Sequence, residues 1–375
     1  MKDFSHQALE RYHRQLILPE FGPLGQKRLE ASKVLVVGAG GLGCPILQYL
    51  AAAGVGNIGI IDNDVVNVSN LHRQILFTLA DVGRPKAEVA AYKISLLNPL
   101  IKVRNYSFQL TRENALDIFK EYDIIVDGSD NFPTRYLVND ACVICDKPLV
   151  YGSIYKFEGQ VSVFNADRGG ESRSANYRDL FPIPPSPSSV PSCNDIGVLG
   201  VSAGIIGCIQ ANETIKLLAQ IGKPLIEKLF ILDALHFTSH IIGYRKRNHT
   251  PITSLIDYEH FCNQHADSSS SDVSISPTQL HQLILEDSNI YLVDVRQEIE
   301  YNYGSISSKN IALENLVENI PTIPTENKII VFCKSGKRSK KALKILVENG
   351  YINVAYLAGG LTAYRNTIEP SVNIL

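Results

Sequence analysis

Val34-Leu35-Val36-Val37-Gly38-Ala39-Gly40-Gly41-Leu42-Gly43 decides the fold of the longer part of this chain. An apolar run that breaks into closely spaced glycines reads as strand, tight turn and helix start. The helical segment is closed by Gly54 and Gly56, and a second apolar run ends at Asp62. Gly38, Gly40, Gly41 and Gly43 let the backbone approach a phosphate, and the helix N-terminus adds positive potential. Asp62, at the end of the second strand, can hold ribose hydroxyls. Taken alone, this fingerprint favours a nicotinamide or flavin enzyme.

Further along the chain the balance changes. Ser69-Asn70-Leu71-His72-Arg73-Gln74 and Lys86 supply cations that a hydride carrier does not require. The apolar run Ile124-Ile125-Val126 ends in Asp127-Gly128-Ser129-Asp130-Asn131. Two cations and a strand-end carboxylate suit a magnesium triphosphate better. Strands at 33–38, 57–62, 101–106 and 123–127 alternate with helices at 41–53, 83–97, 112–119 and 131–145. The expected fold is therefore α/β, a largely parallel sheet with helices on both faces. Runs after Tyr151 and Glu158 extend the sheet, and 7–18 forms a short amphipathic helix with Arg11-Tyr12-His13-Arg14-Gln15.

The 375 residues suffice for two domains with their own cores. A net charge of −2 with no basic run gives no reason to expect direct nucleic-acid binding. The start has no apolar signal region, and no apolar stretch is long enough to span a bilayer, which points to the cytoplasm. Seven cysteines are read as thiols and not as a disulfide framework. Cys142-Val143-Ile144-Cys145 lies in a helical, apolar segment without a second pair, so two structural thiols are expected there.

The GAGGLG turn, Asp62, the Ser69–Gln74 string, Gly83-Arg84-Pro85-Lys86 and Asp127–Asn131 together resemble the MoeB/ThiF family, bacterial relatives of the ubiquitin-activating enzymes. The likeness covers about residues 5–250 and implies a Rossmann-like nucleotide-binding domain with a mixed sheet. The activity it implies is ATP-dependent adenylation of the C-terminal glycine of a ubiquitin-like sulfur-carrier protein of the MoaD/ThiS type. By this resemblance Asp62 holds the ribose, Asn70, Arg73 and Lys86 the phosphates, and Asp130, with Asn131 beside it, the magnesium ion. Arg14 matches an arginine that reaches across a homodimer into the neighbouring site. Cys193, in Pro191-Ser192-Cys193-Asn194-Asp195, stands at the family's crossover-loop cysteine, within a Pro/Ser/Gly-rich loop expected over 165–195. Many members hold a structural zinc with two CxxC pairs. Here Asn176 and Asp179 stand where the first pair would be and the second is missing. No structural zinc is expected, and the region's order is expected to rest on packing alone.

Residues 251–275, with Ser268-Ser269-Ser270-Ser271, read as a linker between an adenylation domain (1–250) and a small α/β domain (276–375). Ser276-Pro277-Thr278-Gln279 starts a helix through a capping box. In the second domain a strand ends in Cys333-Lys334-Ser335-Gly336-Lys337-Arg338-Ser339. A cysteine between strand and helix sits in a nest of backbone N–H groups that favours thiolate. That loop, Asp294-Val295-Arg296 and Leu357-Ala358-Gly359-Gly360-Leu361 resemble a single-domain rhodanese. A Cys333 persulfide is implied, stabilised by loop amides with Lys337 and Arg338. Ser305 stands where such domains often have histidine.

Joined, the two resemblances imply adenylation followed by sulfur transfer to give a thiocarboxylate. It would serve molybdenum cofactor or thiamine biosynthesis or tRNA thiolation, with a cysteine desulfurase or another donor loading the sulfur. The alternatives are a related tRNA-modifying dehydratase and a nicotinamide-dependent oxidoreductase fused to a sulfurtransferase.

Overall fold

The computed structural model describes residues 4–169, 172–185, 197–247, 251–263, 273–286 and 289–374. The chain divides into two compact units, Met1–Ala266 and Asp267–Leu375.

In the first unit the strands β1 (Lys33–Val37), β2 (Asn57–Ile61), β3 (Lys102–Tyr106), β4 (Ile124–Asp127), β5 (Leu149–Tyr155), β6 (Glu158–Phe164), β7 (Lys228–Asp233) and β8 (Thr238–Gly243) form one sheet in the order β3-β2-β1-β4-β5-β6-β7-β8. Pairing is parallel from β3 to β5 and antiparallel from β5 to β8, so the sheet is mixed. Val34 to Val37 are buried, as a strand covered on both faces requires. The helices are α1 (His6–Leu16), α2 (Gly22–Ala31), α3 (Gly43–Ala53), α4 (Lys86–Leu97), α5 (Ala115–Lys120), α6 (Phe132–Ile144), α7 (Tyr177–Leu180), α8 (Gly200–Ala219) and α9 (Tyr258–Asn263). One apolar cluster joins β1 and β2 to α3, α4 and α8, with Ile46, Leu47, Leu50, Ile94 and Ile206 inside it. The other lies over the opposite face, around Tyr136, Phe119, Tyr151 and Phe164.

This order places a topological switch between β1 and β4. The chain steps outward from β1 through β2 to β3, then returns to pair β4 on the other side, with Val37 opposite Asp127. Loops leaving the C-terminal ends of these two strands diverge there and open a crevice for a ligand.

In the second unit β9 (Ser274–Ile275), β10 (Ile290–Asp294), β11 (Lys328–Phe332) and β12 (Val354–Leu357) form a parallel sheet ordered β10-β11-β12-β9. Around it lie α10 (Pro277–Leu285), α11 (Glu298–Tyr303), α12 (Leu316–Asn319), α13 (Lys337–Glu348) and α14 (Gly360–Thr367). The Ser276 hydroxyl accepts the Gln279 N–H at 3.2 Å and Gln279 Oε1 accepts the Ser276 N–H at 2.8 Å, which starts α10. Among the described residues no helix is long and apolar enough to cross a membrane.

Two stretches differ from their expected form. Part of the 165–195 loop is packed: Ser174, Ala175, Asn176, Tyr177 and Asp179 are buried, and Asn165 and Ala166 exchange backbone bonds with Ala175 and Ser174. Within the expected linker, α9 packs on α6, and Ser274–Ile275 is a strand of the second sheet.

Candidate functional site

The glycine turn is built to leave no room for side chains. Gly38 has φ +91°, and a Cβ there would come within 2.8 Å of Gly128 O, so the turns after β1 and β4 touch backbone to backbone. A Cβ on Gly43 would strike Gly38 O, which lets α3 begin directly above the strand. By contrast, the Cβ position of Gly40 meets nothing closer than Gln74 Nε2 at 3.8 Å, so this face is open.

Asp62 follows β2 and braces the turn. Its Oδ2 accepts the Ala39 N–H and its Oδ1 the Asp64 N–H, both at 2.8 Å. Burial pushes this carboxyl up, against the pull of the nearby Lys86 charge and the two N–H groups. Each oxygen keeps a lone pair for a hydroxyl. Lys86, the first residue of α4, is buried, and its Nζ lies 2.9 Å from Asp64 Oδ2, whose side chain is exposed.

The segment after Asn67 forms a short helical turn over Val68–Asn70, in which Asn67 Oδ1 accepts the Ser69 N–H at 3.0 Å and Asn70 Oδ1 accepts the Asn67 N–H at 3.3 Å. Arg73 follows this turn and is half-buried. Its Nη1 donates to Ser69 O at 3.1 Å, and its Cγ is 3.5 Å from the Cβ position of Gly41. Gly38, Gly40, Gly41, Gly43, Asp62, Arg73 and Lys86 are thus linked contact by contact around one crevice. Asp130 is exposed in the loop after β4, and Asn131 is the N-cap of α6, its Oδ1 accepting the Thr134 N–H at 2.9 Å. The open glycine face, the buried cation and the unspent lone pairs of Asp62 fit a nucleoside triphosphate.

Arg14 lies on α1, exposed and away from the buried face of Ala8, Tyr12 and Leu16. Among the described residues no hydrogen bond or ion pair joins it to the crevice. Cys193 lies outside the described residues. Cys142 is buried in α6 and Cys145 caps its end, with its thiol 3.6 Å from Leu116 O. Burial pushes both thiols up, the opposite of what redox or metal-binding cysteines need.

Packing alone does not order the Asn176–Asp179 region, contrary to expectation. The Arg178 guanidinium makes two bonds to buried Asp140, at 2.8 and 2.7 Å, and the Tyr258 hydroxyl donates to Asp140 Oδ2 at 2.8 Å. Asn139 Oδ1 accepts the Tyr177 N–H at 2.7 Å, and Asp179 accepts both the Asn176 N–H at 2.8 Å and the Arg247 N–H at 2.6 Å. Arg178 also lies 5.0 Å over the Tyr136 ring and 4.7 Å over Phe261. A buried, closed set of charged bonds therefore ties α6, α7, α9 and the segment after β8 together.

In the second unit Cys333 directly follows β11 and is buried. The Gly336 N–H points at its Sγ from 3.2 Å, and Ser339 Oγ stands 3.7 Å away. The start of α14 holds the loop from outside: Leu361 N–H donates to Cys333 O at 2.9 Å and Thr362 N–H to Lys334 O at 3.0 Å. A Cβ on Gly360 would strike Cys333 O, so this approach requires glycine. Arg338 departs from its expected role at the sulfur: both arms of its fork bond Glu300, at 2.6 and 2.7 Å. Arg296 is fully buried on Asp294, with Nη2 at 2.7 Å from Oδ2, and Ser305 Oγ donates to the same oxygen at 2.7 Å. Ser305 thus serves the structural Asp294–Arg296 pair. Glu300 was not singled out in the sequence; its one signal is capping-box spacing from Gln297.

This geometry, a close-packed glycine turn with a buried lysine at a β1/β4 switch and a thiol faced by the Gly336 N–H, agrees with what the chain matches. The ThiF family pattern spans residues 12–252, and the rhodanese-like domain pattern spans 276–367. The chain belongs to the ThiF family. It carries a C-terminal rhodanese domain, and it is an adenylyltransferase with a sulfurtransferase domain. It is 44% identical, over 98% of its length and 95% of the relative's, to the Mycobacterium tuberculosis protein named "Probable adenylyltransferase/sulfurtransferase MoeZ". It is 51% identical to the Thermus thermophilus "Sulfur carrier protein adenylyltransferase", over 69% of this chain and 98% of that one. Identity to the Danio rerio "Adenylyltransferase and sulfurtransferase MOCS3" is 41%, over 97% of this chain and 87% of that one. Among solved structures, E. coli MccB with AMPCPP and MccA matches with a TM-score of 0.58 at 22% identity, over 67% of this chain and 75% of that one. At that identity the likeness shows the fold alone. Use of ATP follows from membership of this ThiF-family adenylyltransferase group.

Proposed function

We propose that the first domain adenylates the C-terminal glycine of a ubiquitin-like sulfur-carrier protein of the MoaD/ThiS type, and that Cys333 then supplies sulfur as a persulfide. The observation that supports this reading is the presence in one chain of a glycine turn flanked by Asp62 and Lys86 and of a buried thiol faced by the Gly336 N–H. The names of the relatives support the carrier as substrate.

The attacking carboxylate is ionised at neutral pH, so no general base is needed. The chain has to orient two anions and offset the charge that builds at the α-phosphate as pyrophosphate leaves. Asp62 would receive the ribose hydroxyls, and Asn70, Arg73 and Lys86 would bind the phosphates. Asp130, with Asn131 beside it, would hold magnesium, which neutralises phosphate charge when bound. Arg14, exposed and outside the crevice of its own chain, would complete the site of a second copy, which ties activity to a homodimer. The Cys333 persulfide would displace AMP from the activated glycine, giving an acyl disulfide. Cys193 would serve either as a covalent waypoint for the carrier or to resolve that acyl disulfide, its thiolate attacking the Cys333 sulfur to release the thiocarboxylate and leave a disulfide for an external thiol to reduce. Tethering raises the effective concentration of the sulfur donor. A cysteine desulfurase or another persulfide donor would reload Cys333. Molybdenum cofactor or thiamine biosynthesis, or tRNA thiolation, would consume the product. The free thiols of all six described cysteines suit the cytoplasm.

The test is exchange of labelled pyrophosphate into ATP. Exchange that depends on an added sulfur carrier supports the reading, and its absence with every MoaD/ThiS-type carrier overturns it.

A further inference from the structure

Arg135, in the first turn of α6, is buried and turned back under the loop that leaves β4. Its guanidinium lies 5.2 Å from the centre of the Tyr151 ring and 5.5 Å from that of Phe132. Its Nη2 donates to Ser129 O at 3.4 Å, and its Nε stands 3.7 Å from Asp127 Oδ2. Asp127 has no exposed surface; its Oδ1 accepts the Ser129 N–H at 2.9 Å, and Gln210 Nε2 donates to its carbonyl at 2.7 Å.

An ion pair this deep in a core is a poor stabiliser, since apolar residues of similar volume often do as well. It is not fully satisfied either: Asp127 Oδ2, Ser129 Oγ and Arg135 Nε have no hydrogen-bond partner among the described residues. What the pair does achieve is local. Asp127 holds the N–H of Ser129 and Arg135 holds its carbonyl, and that carbonyl belongs to the peptide unit joining Ser129 to Asp130.

We propose that Arg135 is a positioning residue of the adenylation site: it holds the Ser129 carbonyl while Asp127 holds the Ser129 N–H, and the two together set where the Asp130 carboxylate stands. This rests on the assignment of Asp130 to the metal.

Arg135→Lys keeps a positive charge facing Asp127 but removes the planar fork. In the nucleotide-free protein, amide hydrogen exchange at Ser129, whose N–H is held by Asp127, is expected to rise about tenfold, the size of one lost charged hydrogen bond. Exchange in β4 and in the middle of α6 stays as in wild type. The magnesium concentration for half-maximal pyrophosphate exchange also rises about tenfold, with the rate at saturating magnesium within about threefold of wild type. Unchanged amide exchange at Ser129, or an activity loss equal at all magnesium concentrations, overturns the clamp. Asp130→Asn is run alongside. If its magnesium dependence equals that of wild type, the assignment of Asp130 fails, and the amide-exchange result still decides the clamp by itself.

Discussion

Arg338 and Glu300 meet through two parallel bonds, Nη1 to Oε2 at 2.6 Å and Nη2 to Oε1 at 2.7 Å, so the guanidinium that follows the Cys333 loop is engaged by a carboxylate of α11. Both side chains are mostly buried. The pair pins the first turn of α13, and with it the Gly336 N–H that faces the sulfur.

Glu300→Gln is expected to lower stability by about 2 kcal/mol, the scale of a charge-assisted bond lost from a part-buried site. Burial pushes the Glu300 carboxyl up, but the Arg338 bonds, the Gln297 N–H and the Arg296 charge together outweigh it and leave it below its ordinary value. A depressed carboxyl stabilises the fold above its unfolded-state value, and that stability is lost as pH falls through the folded value. Thermal unfolding measured against pH should therefore separate wild type from Glu300→Gln at neutral pH and bring them together only as pH falls well below the ordinary glutamate range.

Cys333→Ala should leave carrier-dependent pyrophosphate exchange intact and abolish the persulfide. Mass spectrometry of the protein after incubation with thiosulfate or a persulfide donor checks this. A sulfur atom still gained at the second domain of the variant would show that another thiol carries the load.

Lys86 and Asp64 form an ion pair whose two partners should matter unequally. Asp64 is exposed, so its attraction is screened, and Asp64→Asn should change kcat/KM for ATP by no more than about threefold. Lys86 is a buried cation held beside the glycine turn. Lys86→Met should lower kcat/KM in pyrophosphate exchange by at least about a hundredfold.

Arg178→Ala leaves Asp140 charged and buried without its bidentate partner, and should cost about 3–5 kcal/mol. Tyr258→Phe removes a single bond to the same carboxylate and should cost about 1 kcal/mol. The sequence leads to the expectation of no structural zinc near Asn176 and Asp179, so a chelator should leave the thermal unfolding midpoint of the nucleotide-free protein unchanged.

The strands, the glycine turn, Asp62 and the thiol loop were legible because each depends on neighbours within a few residues. Apolar runs make buried strands, glycines permit the turn, and Ser276 with Gln279 starts a helix through bonds between residues three apart. α2 was missed, since Gly22, Pro23 and Gly25 mask its weak amphipathic pattern, and β7 and β8 lay beyond the part of the chain where strand and helix alternate.

From the sequence alone followed the two chemistries and the elements that carry them, since short-range patterning of apolar residues and glycines is enough to specify a strand, a turn and a helix start. Only the tertiary structure decided which charges meet. Asp140 finds Arg178 and Tyr258, Arg338 finds Glu300, and Arg135 reaches back to Ser129 and Asp127. Ion pairs depend on distance through space and on burial from water, and neither is written in the order of residues along the chain.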